Sequence, residues 1–311
     1  MSLPCVPENV IVPPIKCQGI KTKLVPFIMQ NIRWDGSGRW IEPFLGSGVI
    51  LFNLRPQRAL VCDINPHIIN FYQQVYNGRI TPATVRNHLQ NEGDKLLTNG
   101  RKGKKSYYYQ VRERFNAEKN SLDFLFLSRA CFNGMMRFNQ RGAFNVPFCR
   151  KPDRFRPAYI TKIVNQVKVI QGIMRGKEWI FRVGDWRTCL ENLDETDFVY
   201  LDPPYIGRHT DYFNQWSESE AVELAEMTHS IPGGFALSMW KENKYRVNEH
   251  IPLHWNHTIE RTQTHFYHVG PTEDLRNAME ESLLIKPGFT ADPPESTSSQ
   301  ATKPVQLSLQ F

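Results

Sequence analysis

The sequence predicts an α/β fold, a mostly parallel sheet covered by helices on both faces and finished by an antiparallel strand. Three observations predict it. Short apolar runs rich in β-branched and aromatic residues recur along the chain, helical patterns lie between several of them, and 311 residues suffice for one sizeable core plus an inserted module. The runs are continuous rather than alternating, which marks strands buried on both faces, the setting of a parallel sheet.

The strands are expected at RWIEPF (39–44), ALVCD (59–63), WIFRV (179–183), DFVYLD (197–202) and GFALSMW (234–240). VILFNL after residue 48 and YITKIVNQVKVIQGIMR (159–175) carry helical spacing, and WNHTIERT and EESLLIK read as a final strand pair. From about 71 to 158 this rhythm breaks into an Asn- and Arg-rich stretch, in which RFNQRGAFNVPF (137–148) reads as two short strands around the turn residues Gln140, Arg141 and Gly142. The simplest account is a discontinuous domain, 1–70 and 159–287, carrying an inserted helical and hairpin module at 71–158. After Pro287 the polar, Pro- and Ser-rich GFTADPPESTSSQATKPVQ cannot bury enough apolar area to offset its ordering entropy. Residues 288–311 therefore read as a disordered linker with a short apolar end, QLSLQF. No internal repeat is visible.

Composition narrows the function. The 41% hydrophobic content is that of an ordinary globular protein, and no apolar run approaches 18 residues, so no membrane span is expected. The start, MSLPCVPENVIVPPIK, lacks the basic-then-apolar pattern of a secretory signal, so a cytoplasmic protein is expected. Six cysteines without a C-x-x-C pair read as free thiols rather than a zinc site or disulfide framework. A net charge of +7 favours a polyanionic partner, and RKGKK (101–105) and CRKPDRFR (149–156) concentrate basic residues in the insert among aromatics.

EPFLGSGVI follows a strand and opens a helix. Gly46 and Gly48 allow a sharp turn and a close ligand approach, and the helix start offers unpaired N–H groups. The next strand ends in Asp63, which reads either as an acceptor for ribose hydroxyls or as a cap for the following helix. The loop is neither G-x-G-x-x-G nor a P-loop, so a cofactor with a ribose and a small charged tail fits better than one with phosphates. S-adenosylmethionine is such a cofactor.

LDPPY (201–205) ends a buried strand with a carboxylate, and Pro203 and Pro204 then remove two backbone donors. It reads either as a rigid turn or as an acceptor surface: the Asp202 carboxylate, the free carbonyls and the flat ring of Tyr205. A planar heterocycle carrying an amino group matches the second reading. Two acceptors gripping both N–H bonds of a purine amine favour a pyramidal nitrogen, whose lone pair can attack a sulfonium methyl. Asp202, a weak base with a reference pKa of about 3.9, would stabilise charge rather than take a proton first.

Together PPIKCQGIKTKL (13–24), EPFLGSG (42–48), DINP (63–66), FNGMMRFNQRGAFNVPF (132–148), DPPYIGRHTDYF (202–213) and HFYHVG (265–270) resemble the Dam-type (D12 class, alpha-group) DNA adenine methyltransferases over about residues 13–287. The resemblance implies a Rossmann-like S-adenosylmethionine-dependent methyltransferase sheet that methylates the adenine N6 in a short, palindromic duplex site resembling GATC or GATATC. It implies that Lys21, Phe44, Gly46, Gly48 and Asp63 bind the cofactor, with Asp185 beside its adenine. It also implies that Asp202, Pro203, Pro204 and Tyr205 hold a flipped base. Phe138 is expected to wedge into the base stack, while Lys16, Arg137, Asn139, Gln140, Arg141 and Asn145 meet the DNA. Cys17 and Ile20 replace the tryptophan and second glycine of the family's K-W-A-G-G-K segment.

HFYHVG reads equally as core, and its two histidines lack the carboxylate or cysteine partners of a metal site, so no metal is expected. QLSLQF resembles the peptide by which bacterial proteins dock on the DNA polymerase sliding clamp, with Gln306, Leu307, Leu309 and Phe311 as anchors; the other reading is a chance apolar end. Double-stranded DNA is the expected partner, for a nucleoid-associated enzyme that is a monomer in solution. Methylation of RNA adenine or of a cytosine amine, and DNA binding without catalysis, are the competing readings.

Overall fold

The computed structural model describes residues 4–17, 19–98, 106–205, 216–243, 246–266 and 278–291. Helix α1 (Val25–Asn31) precedes strand β1 (Trp40–Glu42), and α2 (Val49–Leu54) leads to β2 (Arg58–Asp63). Helix α3 (Pro66–Tyr76) starts where Asn65 accepts a hydrogen bond from the His67 N–H at 3.0 Å, with a proline in the first turn where no donor is needed. Helices α4 (Pro82–Thr98), α5 (Tyr107–Glu118) and α6 (Ser121–Ala130) follow, then irregular chain and α7 (Pro157–Met174). The sheet resumes with β3 (Glu178–Val183), α8 (Trp186–Cys189), β4 (Phe198–Leu201), α9 (Glu218–His229) and β5 (Gly234–Asn243). The chain closes with β6 (Arg246–Val247), α10 (His250–His254), β7 (Ile259–Phe266) and β8 (Ala278–Ile285).

The strand order is β3-β2-β1-β4-β5-β8-β7, with β6 paired to the end of β5. The first five strands are parallel and β8 runs against both its neighbours. This is the expected mixed α/β sheet. Because β1 lies between β2 and β4, chain connections leave it in opposite directions, and the crevice at the carboxyl ends of these strands is where such sheets bind ligands.

Both faces of the sheet are covered. Trp40 stacks on Phe198 at 5.2 Å toward the α1, α2, α3 and α7 side, while Ile41, Leu60, Val199 and Leu237 pack with Leu224 and Trp255 on the other. Each such buried side chain contributes about 1.5–3 kcal/mol, the main force holding the crevice walls in place.

The insert has its own polar anchor. Arg114 donates to Asp123 at 2.7 and 2.5 Å and to Glu92 at 2.7 Å, and the Tyr107 hydroxyl donates to Glu92 at 2.8 Å. With every charge partnered, the network joins α4, α5 and α6 in one arrangement. Phe155 stacks on Phe126 at 4.4 Å and brings the chain back to α7.

The structure corrects four expectations. The stretch 137–148 forms no regular strand pair; single bridges, Phe138 with Phe144 and Cys131 with Phe148, hold a loop that turns at Gly142 with φ 68°. Residues 288–291 belong to the folded domain, because Phe289 offers its carbonyl to Arg33 at 2.7 Å, packs on Phe198, and leads to a bridge between Thr290 and Ile32. Cys62 and Cys189 are joined in a disulfide, Cα to Cα 6.4 Å, so these two are not free thiols; α8 lies on the end of β2, an adjacency that a 127-residue separation hides. The fourth, at Phe138, concerns the site. RKGKK, all of IGRHTDYF, most of HFYHVG and all of QLSLQF lie outside the described residues. Among the described residues no helix is long and apolar enough to cross a membrane, and no group of three His, Cys, Asp or Glu is placed to hold a metal.

Candidate active site

The crevice is a cleft of about 340 Å³ at the ends of β1, β2 and β4. Its floor is the glycine loop. Leu45 donates its N–H to Cys62 at 2.9 Å, after which Gly46 (φ 51°) and Gly48 (φ 70°) take left-handed conformations that start α2. The Gly46 N–H donates to one Asp63 oxygen and the Asn65 N–H to the other, both at 2.8 Å. Asp63 thus fixes the loop against β2, while the cap of α3 is Asn65. Burial pushes the Asp63 carboxyl up to about 6 despite those two donors.

Glu42, at the end of β1, is 2% exposed and accepts the Trp40 indole N–H at 2.6 Å. Burial raises its carboxyl to about 8, Trp40 opposes the rise, and nearby Asp202 adds to it. Phe44, Trp186 and Trp216 form an aromatic wall with centroids 5.5–6.3 Å apart. Asp185 caps α8 and pairs with Arg187 at 2.9 Å; Arg187 in turn pairs with Glu223.

The opposite wall is the corner after β4. Lys21, 4% exposed, lies 2.9 Å from Asp202 and donates to the Tyr205 hydroxyl at 2.8 Å; that hydroxyl donates to Glu281 of β8 at 2.6 Å. Enclosure raises the Asp202 carboxyl above the ordinary aspartate range, the Lys21 ammonium opposes the rise, and Glu281 adds to it. A carboxylate, a ring and a glycine loop therefore share one cleft, which suits gripping a planar amine beside a second ligand.

Residues 18–264 match the model of the D12 class N6 adenine-specific DNA methyltransferases. The chain belongs to that family. It is 30% identical over 262 residues to the Type II methyltransferase M.MjaIII of Methanocaldococcus jannaschii, covering 76% of this chain and 85% of that one. It is 26% identical over 288 residues to the Type II methyltransferase M1.LlaDCHI of Lactococcus lactis subsp. cremoris, covering 88% and 94%. To the DNA adenine methylase of Haemophilus influenzae it is 28% identical over 201 residues, covering 61% and 65%. The protein is thus a DNA adenine methyltransferase, an enzyme of a class that works with S-adenosylmethionine.

In this methyltransferase the cleft brings together Lys21, Phe44, Gly46, Asp63, Asp185, Asp202, Pro203, Pro204 and Tyr205 from five separated segments. Gly48 is not among the residues lining the cleft and serves as the N-terminal cap of α2. Cys17 and Ile20 line the wall that the family's tryptophan and glycine would occupy. Arg137 is exposed, donates to Asn145 at 3.0 Å and reaches the cleft rim. Gln140 and Arg141 are exposed at the loop tip, whereas the Asn139 side-chain oxygen accepts the N–H groups of Arg141 and Ala143 and shapes the turn. Lys16 is half-buried beside Gly134; burial and the nearby Arg129 and Arg154 charges lower its pKa.

Phe138 is not an exposed wedge. It is 2% exposed, stacked on His67 at 5.2 Å and edge-on to Phe144 at 5.4 Å. The exposed aromatic of the insert's 132–148 segment is Phe132, 49% accessible, ahead of the left-handed Asn133 (φ 52°) and Gly134. Sequence reading missed Glu42, Phe132, Trp186, Trp216 and Glu281. A signal for Glu42 existed, since it ends a strand as Asp63 and Asp202 do; Glu281 had none, because its place beside Tyr205 comes from a strand order no local pattern reveals.

Proposed function

We propose that this methyltransferase moves the methyl group of S-adenosyl-L-methionine to N6 of an adenine swung out of a short duplex site, a palindrome containing GAT such as GATC or GATATC. The observation that carries this reading is Asp202 and Tyr205 facing the same cleft as the Gly46–Gly48 loop. The cofactor fits the lining: carboxylates at Glu42, Asp63, Asp185, Asp202 and Glu220 outnumber the cations Lys21 and Arg137, which favours a cationic ligand over one bearing phosphates. Glu42 would take its ammonium, Asp63 its ribose, and Phe44, Trp186 and Asp185 its adenine. When bound, the cofactor supplies an electrophilic sulfonium methyl.

The protein's part is to hold and orient the amine. The Asp202 carboxylate and the Pro203 carbonyl would accept its two N–H bonds, freeing the nitrogen lone pair, while Tyr205 stacks on the base for about 1–3 kcal/mol. Lys21 holds the Asp202 charge until a base arrives, and the Tyr205 oxygen remains its partner afterwards. Phe132 takes the wedge role expected of Phe138, because only an exposed ring can enter the gap left by an extruded base. Lys16, Arg137, Gln140 and Arg141 read base edges and phosphates, with Asn145 orienting Arg137.

Methyl uptake from labelled cofactor, compared among duplex DNA, RNA and adenine-free duplex, tests the reading. Label in adenine-containing duplex alone is expected; label in RNA or in cytosine overturns the substrate assignment, and no uptake by any of them overturns catalysis. The tail reading rests on QLSLQF itself: we infer that Gln306, Leu307, Leu309 and Phe311 dock on a sliding clamp, and clamp binding that survives deletion of 306–311 removes the idea.

A further inference from the structure

Glu281 sits in an expensive place. It is 2% exposed in the middle of β8, a strand paired on both sides, opposite Trp240 of β5 and Gln263 of β7. Its neighbours Leu283, Leu284 and Ile285 are the residues such a position favours for stability. A buried carboxylate there costs free energy unless something partners it, and one of its contacts reaches the cleft: the Tyr205 hydroxyl donates to it at 2.6 Å. A phenol has one proton. Directing it to Glu281 turns the phenol oxygen into an acceptor toward Lys21, whose ammonium lies 2.8 Å from that oxygen, 4.8 Å from the ring centroid and 2.9 Å from Asp202. The result is a row of alternating character, Asp202 carboxylate, Lys21 ammonium, Tyr205 phenol, Glu281 carboxylate, that crosses from β4 to β8.

Building on the reading above, we propose that Glu281 is a positioning residue for methyl transfer: it pins the stacking ring of Tyr205 and supplies the charge that keeps Lys21 on the phenol when the adenine amine takes over Asp202. Without that second carboxylate, Lys21 is drawn back to Asp202, 2.9 Å away, and competes with the substrate for it. Among the described residues, Glu42 from β1 and Tyr200 from β4 are titratable groups beside the row. Within the row Glu281 acts on Asp202 by charge, raising its carboxyl.

The test uses the full-length enzyme, first shown to methylate adenine-containing duplex DNA; failure at that step counts against the function reading and is seen before any variant is made. Glu281→Gln keeps the shape and removes the charge. It is expected to bind cofactor as the wild type does, to lose about tenfold in kcat, the scale of one charge-assisted hydrogen bond, and to shift the acid limb of the kcat profile to lower pH, because Asp202 then ionises more readily. In a Tyr205→Phe background the same change is expected to cost nothing more, since the connection has already been cut. An acid limb that stays in place, or losses that multiply in the double variant, overturns the proposal. If Glu281→Gln does not fold, Tyr205→Phe alone decides: an unchanged kcat overturns the proposal, and a fall of about tenfold with cofactor binding intact supports it.

Discussion

At the scale of single residues, Glu42 carries a consequence that can be measured in the free enzyme. Its carboxyl is raised from the ordinary 4.5 to about 8 by burial, so at pH 7 it is mainly protonated. The sign follows directly: the stability it contributes is fully present below about pH 4.5 and is lost as pH rises through about 8. A cationic amine bound beside it favours the ionised form. Cofactor binding at pH 7 is therefore expected to release a proton, seen as a binding enthalpy that depends on the ionisation heat of the buffer, and Glu42→Gln is expected to abolish that dependence. Glu42 could have been found in the sequence by the rule that found Asp63 and Asp202, a carboxylate at the carboxyl end of a parallel strand. Phe138 and Phe132 show where reading stops. Both are phenylalanines beside turn residues, and only the packing of His67 and Phe144 around one of them decides which ring faces solvent.

Among the elements, the strand-to-helix turn that opens α2 makes the sharpest prediction. A Cβ at Gly48 would come within 2.8 Å of the Phe52 ring, and the residue sits at φ 70°; a Cβ at Gly46 meets nothing within 4 Å. Gly46→Ala is expected to cost only the left-handed backbone term, about 1–2 kcal/mol. Gly48→Ala adds steric strain to that term, for a total of about 2–4 kcal/mol. Thermal unfolding of the two variants checks the order, and equal losses would contradict the geometry. The sheet strands were legible because continuous apolar runs report burial on both faces. The insert was legible as a helical interruption but its internal joints were not: α4, α5 and α6 are joined by Arg114, Glu92 and Asp123, and no apolar period reveals which charged residues meet. The Cys62–Cys189 link escaped for a related reason, since spacing arguments see neighbours in sequence and this contact is made by α8 folding onto β2.

For the whole molecule, the proposed function requires the insert and the cleft to act on one nucleotide. On that proposal a base extruded toward Asp202 leaves a gap for the insert to fill, so Phe132→Ala is expected to leave cofactor binding intact while lowering base extrusion about tenfold or more, as read by the fluorescence of 2-aminopurine at the target position, because unstacking costs a few kcal/mol. Phe138→Ala is expected to act differently, by destabilising the fold by about 3–5 kcal/mol as a buried aromatic does. The order of the motifs along the chain, cofactor loop before insert before DPPY corner, was readable at once; how five distant segments meet in one cleft was not, since that is set by strand order. The central claim concerns the corner where they meet. Its most direct measurement is methyl transfer to duplex DNA by Asp202→Ala, run alongside cofactor binding by the same preparation. Undiminished cofactor binding with turnover reduced by at least about a hundredfold, the scale of losing one preorganised electrostatic group, is the predicted result; turnover at the wild-type rate would contradict it.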